Sequence, residues 1–142
     1  MGALSWWAAH SPSGVTRAKT VSEIPLVAVV DDDESVRESL PDLLRELGFA
    51  VRAFASAGEF LASDVLDGTR CLILDVAMPG MSGRELAREL LEIRPDVPIL
   101  LMSGYLRPED IDSAKRLGIR EVIAKPTTIG ELSEVLDRVL RP

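Results

Sequence analysis

An α/β fold, a parallel sheet covered by helices on both faces, is predicted by three observations in the 142-residue sequence. Short runs of β-branched and aliphatic residues recur, of the kind that form strands buried on both faces. From Pro25 onward these runs alternate five times with amphipathic helical segments, the βα order that builds a doubly wound parallel sheet. Four of the runs end on polar residues: Val27–Val30 into Asp31-Asp32-Asp33, Leu72–Leu74 into Asp75, Ile99–Met102 into Ser103-Gly104, and Glu121–Ala124 into Lys125-Pro126. In an open parallel sheet the functional crevice lies outside the carboxyl ends of the strands, so these side chains are expected on one rim.

Strands are expected at 26–30, 50–54, 70–75, 97–103 and 120–124. After the first, Val36, Leu40, Leu43, Leu44 and Leu47 fall on one helical face, and Gly48 stands where a helix usually stops. Pro41 falls inside that helix, where a lost hydrogen bond costs ~3 kcal/mol in an unadapted helix. The apolar period continues on both sides of it, so the helix is kept and a kink is expected there. Ser56 with Glu59, Ser82 with Glu85, and Thr128 with Glu131 have capping-box spacing at three further helix starts. Pro108 suits a first helical turn, and Leu132, Val135, Leu136, Val139 and Leu140 form the apolar stripe of the last helix.

The length is that of one domain, able to bury roughly 68–70% of its unfolded surface. With 23 acidic and 16 basic residues the net charge is −7, opposite to the basic stripe of a nucleic-acid binder; no direct nucleic-acid contact is expected. No apolar run approaches the ~20 residues that cross a membrane. The single Cys71 lies in an apolar run, as a buried thiol would, and one cysteine excludes an intrachain disulfide framework, consistent with a cytoplasmic setting. Residues 1–22, with Trp6, Trp7 and the one histidine, His10, lack the charge pattern of a signal peptide and read as a flexible leader. The domain is expected from residue 24 to 142.

Asp31, Asp32 and Asp75 at neighbouring strand ends would repel one another, since two unit charges ~5 Å apart cost roughly 3 kcal/mol at an effective dielectric of 20. Such clusters share a proton or hold a hard divalent cation, and Mg2+ suits them best: it takes one or two carboxylates and keeps positions for phosphate oxygens. Lys125 and Ser103 facing that cluster would complement the oxygens of a transferring phosphoryl group. A carboxylate can be the nucleophile, and the central strand makes Asp75 the best candidate. A lone Asp after a strand is ordinarily a turn or cap residue, and Asp33 and Glu34 are read that way, as charges favouring a helix N-terminus. The joint occurrence of the others is what marks a site.

These residues closely resemble the receiver domain of two-component response regulators, through VAVVDDDESVRESL, CLILDVAMPGMSGREL, PILLMSG and AKP, over about residues 24–141. The resemblance implies a flavodoxin-like sheet of strand order 2-1-3-4-5 with five helices. It implies that Asp75 accepts phosphate from a phosphohistidine on a sensor histidine kinase or histidine phosphotransfer protein, and that Asp31 and Asp32 hold Mg2+ with Asp75 and the Ala77 carbonyl. Ser103 matches the switch hydroxyl and Lys125 its phosphate partner; the peptide before Pro126 is typically cis in the family. Ala77 and Tyr105 match positions that tune the phosphoryl lifetime, a small Ala admitting water and a Tyr shielding the group. One departure stands out: where the family commonly carries an aromatic residue three positions before the lysine, this chain has Val122, which points to segment 104–117 for the output.

The expected function is thus a stand-alone phospho-accepting receiver, not an enzyme, that switches or relays a signal by docking to another protein. Two alternatives stand beside it. Asp31-x-Asp33-x-Ser35 nearly fits the nucleophile motif of haloacid-dehalogenase-type phosphatases, which would make Asp31 the nucleophile. A pseudo-receiver would bind its partner without ever carrying phosphate.

Overall fold

A computed structural model describes residues 24–76, 82–104, 107–125 and 127–140. The expected alternation is present: β1 (Leu26–Val30), α1 (Glu34–Glu46), β2 (Ala50–Phe54), α2 (Ala57–Leu61), β3 (Thr69–Asp75), α3 (Gly83–Ile93), β4 (Ile99–Ser103), α4 (Pro108–Leu117), β5 (Glu121–Ala124) and α5 (Ile129–Leu140). All strands run parallel in the order β2-β1-β3-β4-β5. The leader, Ala77, Tyr105 and Pro126 lie outside the described residues.

Strand side chains alternate between two apolar layers, as the two-residue period requires. Val27, Val29, Cys71, Ile73, Leu100 and Met102 face α1 and α5, whereas Ala28, Val30, Leu72, Leu74, Ile99 and Leu101 face α2, α3 and α4. Helix α1 presents Leu40, Leu44 and, past its end, Leu47 to the first layer, with Val36 and Leu43 partly buried against it. It runs through Pro41 as one helix. Gly48 beyond it has φ 101°, a left-handed conformation that L side chains rarely adopt. Helix α5 adds Leu132, Val135, Leu136 and Val139. Burial pushes the Cys71 thiol up to about 12, which keeps it protonated and inert.

The three capping pairs act as their spacing requires: Ser56, Ser82 and Thr128 each accept from the backbone amide three residues on, at 3.2, 3.2 and 3.1 Å. Strand β4 starts two residues later than expected. Pro98 has no amide to donate, although its carbonyl accepts from Leu72 N at 3.1 Å, so the strand begins at Ile99 while Val97 stays buried ahead of it. At the amino ends of the strands Arg94 gathers two loops. Its guanidinium donates to the carbonyls of Leu66 (3.2 Å), Asp67 (2.6 Å) and Thr69 (3.4 Å) and pairs with Asp96.

Candidate functional site

The strand order places the carboxyl ends of β1, β3, β4 and β5 side by side, and their register staggers the residues that follow. Val30 pairs with Leu74, so Asp31 and Asp75 come level. Asp75 pairs with Met102, so Ser103 stands one residue further out. Ser103 pairs with Ala124, so Lys125 stands one further again. From that outer position the long lysine side chain reaches back along the rim. Its Nζ is 2.8 Å from Asp31 Oδ2 and 3.3 Å from Asp75 Oδ1. The stagger is held by the Lys125 amide donating to Ser103 O (2.8 Å) and the Val76 amide to Met102 O (3.0 Å).

Asp31 is 2% exposed and Asp75 9% exposed. Buried carboxylates require partners, and Asp31 has one on each oxygen: the Asp33 amide at 2.9 Å on Oδ1 and the Lys125 ammonium on Oδ2. Burial alone would lower the Lys125 pKa, but its contacts with Asp31 and Asp75 outweigh burial and hold it above the ordinary 10.5. Asp32 is exposed at the same rim. One oxygen each from Asp31, Asp32 and Asp75 lies within 4.8 Å of the others. This donor set is oxygen only, which suits a hard cation of the Mg2+ or Ca2+ kind and gives zinc or copper no imidazole or thiolate.

Asp33 does not join the cluster. It is the N-cap of α1, accepting from the Ser35 amide (2.9 Å) and hydroxyl (2.7 Å), and these bonds hold its carboxyl below the usual range. Glu34 follows in the first turn of α1. Both are the helix-start charges the sequence indicated. Ser103 lies within the rim at 8% exposure. Val122 pairs with Leu101 and packs, half-buried, against the layer under α2, α3 and α4. A groove of about 310 Å3 opens beside Lys125, walled by Val36, Leu40, Leu43 and Met102 with Asp33 at its edge.

Two residues of the site were not singled out from sequence. Arg37, one turn into α1, donates from its guanidinium to the Asp31 carbonyl at 2.9 Å, tying the helix to the turn that carries the acidic pair. Gly83, the first residue of α3, lies against the backbone of Asp75 and donates from its amide to Val76 O at 3.2 Å. Its place in the Ser82-Gly83 pair after Asp75 was the only signal in the sequence.

Comparison with known proteins agrees with this geometry. Residues 27–137 match the family described as Response regulator receiver domain. Nodulation protein W of Bradyrhizobium diazoefficiens is 36% identical over 135 residues, covering 95% of this chain and 57% of that protein. The transcriptional regulatory protein FixJ of Azorhizobium caulinodans is 39% identical over 100 residues, 70% of this chain and 47% of that protein. Among solved structures, the Vibrio cholerae chemotaxis protein CheY4 superposes with a TM-score of 0.76 at 29% identity, covering 82% of this chain and 99% of that one. The chain spans about half the length of the curated relatives it matches.

Proposed function

Because the chain belongs to the response regulator receiver domain family, we propose that Asp75 accepts a phosphoryl group from a phosphohistidine, on a sensor histidine kinase or a histidine phosphotransfer protein, and that the acyl phosphate so formed switches a protein–protein contact. The observation that carries this reading is the Asp75 carboxylate at the carboxyl end of the central strand, with two further carboxylates within 4.8 Å and an ammonium at 3.3 Å. A carboxylate oxygen of Asp75 attacks phosphorus; the P–O bond forms as the P–N bond to the donor imidazole breaks, and the imidazole leaves with the electron pair and is protonated. Lys125 neutralises Asp31 and Asp75 beforehand and remains to pair with the phosphoryl oxygens. Ser103, at the end of the next strand, offers its hydroxyl to the same group. Asp31 and Asp32, with Asp75, would hold Mg2+, which supplies charge neutralisation of the transferring group. The groove beside Lys125 gives a donor protein an apolar footing next to the acceptor.

The phosphatase alternative, with Asp31 as nucleophile, finds no support in the geometry. Both Asp31 oxygens are engaged and the residue is buried, while Asp33, the second residue of that motif, is turned away to cap α1. The output is proposed to act through a docked protein, by way of the segment between Ser103 and α4, because Val122 supplies no aromatic ring to follow the hydroxyl.

The test is incubation with acetyl phosphate and Mg2+. Wild type gains one labile phosphoryl group; Asp75→Asn and an EDTA-treated sample gain none. If the phosphorylated and unmodified forms bound the output partner equally, the chain would instead act as a pseudo-receiver.

A further inference from the structure

Gly83 stands closer to the acceptor than any side chain at its position would permit. A Cβ built on it overlaps the Asp75 carbonyl oxygen outright and stands 3.1 Å from the carbon of that carbonyl and 3.2 Å from Val76 Cα. Both partners in this contact are packed in place, so either retreats only by disturbing its surroundings. Helix α3 is fixed by Leu86, Ala87 and Leu90, each fully buried. The end of β3 is fixed by its pairing on both sides and by the Val76 amide on Met102 O. The two ends of the β3–α3 connection also meet, through the Gly83 amide on Val76 O. A glycine is therefore required here by close approach of backbone to backbone, and not by a left-handed conformation, because Gly83 is not among the positive-φ glycines.

We propose that Gly83 is a positioning residue for Asp75: it seats the first turn of α3 directly on the peptide of the acceptor and so sets where the Asp75 carboxylate stands relative to Asp31, Asp32 and Lys125. This inference rests on the reading of Asp75 as the acceptor. Relief of the overlap that Ala would create needs a shift of ~1 Å, and a misplacement of that size at a reacting group costs on the order of 100-fold in rate. The same displacement spoils the carboxylate set for a divalent cation, where loss of a supporting contact costs roughly 10–100-fold in affinity.

The experiment compares Gly83→Ala with Ser82→Ala. The second variant removes the N-cap of the same helix without placing any atom against Asp75, so it reports what loosening α3 does by itself. For each, the acetyl phosphate labelling rate, the Mg2+ affinity by titration calorimetry and the thermal midpoint are measured. Gly83→Ala is expected to stay folded, label ~100-fold more slowly and bind Mg2+ at least ~10-fold more weakly. Ser82→Ala is expected to lose thermal stability while both site readouts hold within about threefold of wild type. Folded Gly83→Ala with wild-type labelling and affinity would overturn the proposal, as would equal losses in the two variants. If Gly83→Ala is unfolded, trimethylamine N-oxide, which strengthens effective burial, is added: labelling that returns in step with the folded fraction overturns the proposal, and labelling that stays low in folded protein supports it. A wild-type chain that gains no label at Asp75 removes the acceptor reading instead, and the Mg2+ titration of the two variants then still decides whether Gly83 places the carboxylate.

Discussion

Replacing Lys125 by Met removes the charge that holds two buried carboxylates while keeping most of the side-chain volume. At 2.8 and 3.3 Å from Asp31 and Asp75, each attraction is about 5–6 kcal/mol at an effective dielectric of 20. Desolvating the ammonium and the two carboxylates offsets much of this, and the side chain keeps 20% exposure to water, so ~3 kcal/mol is the expected net loss, at the low end for breaking a buried pair. In EDTA that corresponds to a drop in Tm of about 10 °C for a domain of this size. A divalent cation changes the outcome, because Lys125 and the metal compete for the same oxygens. Relief of like-charge repulsion over ~5 Å at water-like screening is worth about 1.4–1.7 kcal/mol against a dication, roughly a tenfold gain in Mg2+ affinity. At saturating Mg2+ the variant should therefore recover about 1.4 kcal/mol more than wild type does, close to half of its loss. Urea unfolding of both proteins in EDTA and in a Mg2+ series measures each quantity. Equal destabilisation with and without Mg2+, or a Mg2+ affinity no tighter than wild type, would refute the idea that ammonium and metal share one set of ligands.

Two further perturbations separate the fold from the site. Arg94→Ala removes a guanidinium that bonds two loop carbonyls, the first carbonyl of β3 and Asp96 at the far end of the sheet; chemical unfolding should show a loss of ~1.5–3 kcal/mol, and the labelling rate of the folded protein should not change. On the acid side, Asp110 is held below the usual carboxylate range by the Arg107 hydrogen bond, despite some desolvation, with Arg84 of α3 adding charge. A depressed folded-state pKa contributes stability that is present above the unfolded value of 3.8 and lost as pH falls through the folded one. Urea midpoints followed downward from pH 5 should therefore fall less steeply below pH 3.8 for Asp110→Asn than for wild type, and identical slopes would show that the Arg107–Asp110 pair does not form in solution.

The site was legible in the sequence to the extent that it depends on strand ends. Asp31, Asp75, Ser103 and Lys125 each follow an apolar run directly, and a parallel sheet forces such residues to one rim whatever lies between them. The helix caps were legible for a different reason: Ser56, Ser82 and Thr128 meet amides only three residues away, so no tertiary information is needed. What sequence did not disclose are contacts set by how elements sit on one another. The Arg37 bond to the Asp31 carbonyl depends on the exit angle of α1. The Arg94 clasp joins carbonyls 25 to 28 residues away. The Gly83 approach depends on how deeply α3 is seated on β3, which Leu86, Ala87 and Leu90 determine further along the same buried face of the helix. Sequence places the start of β4 two residues early because Val97 is as apolar and as buried as Ile99 to Met102, and only the missing amide of Pro98 separates it from the strand.

The central claim, that Asp75 and not Asp31 carries the covalent chemistry, is tested most directly by trapping the acyl phosphate. Protein treated with acetyl phosphate and Mg2+ is reduced with borohydride, which converts a phosphorylated aspartate to homoserine, and the peptides are mapped by mass. The account predicts homoserine at position 75 alone, abolished by Asp75→Asn. Homoserine at position 31, persisting in Asp75→Asn, would contradict it.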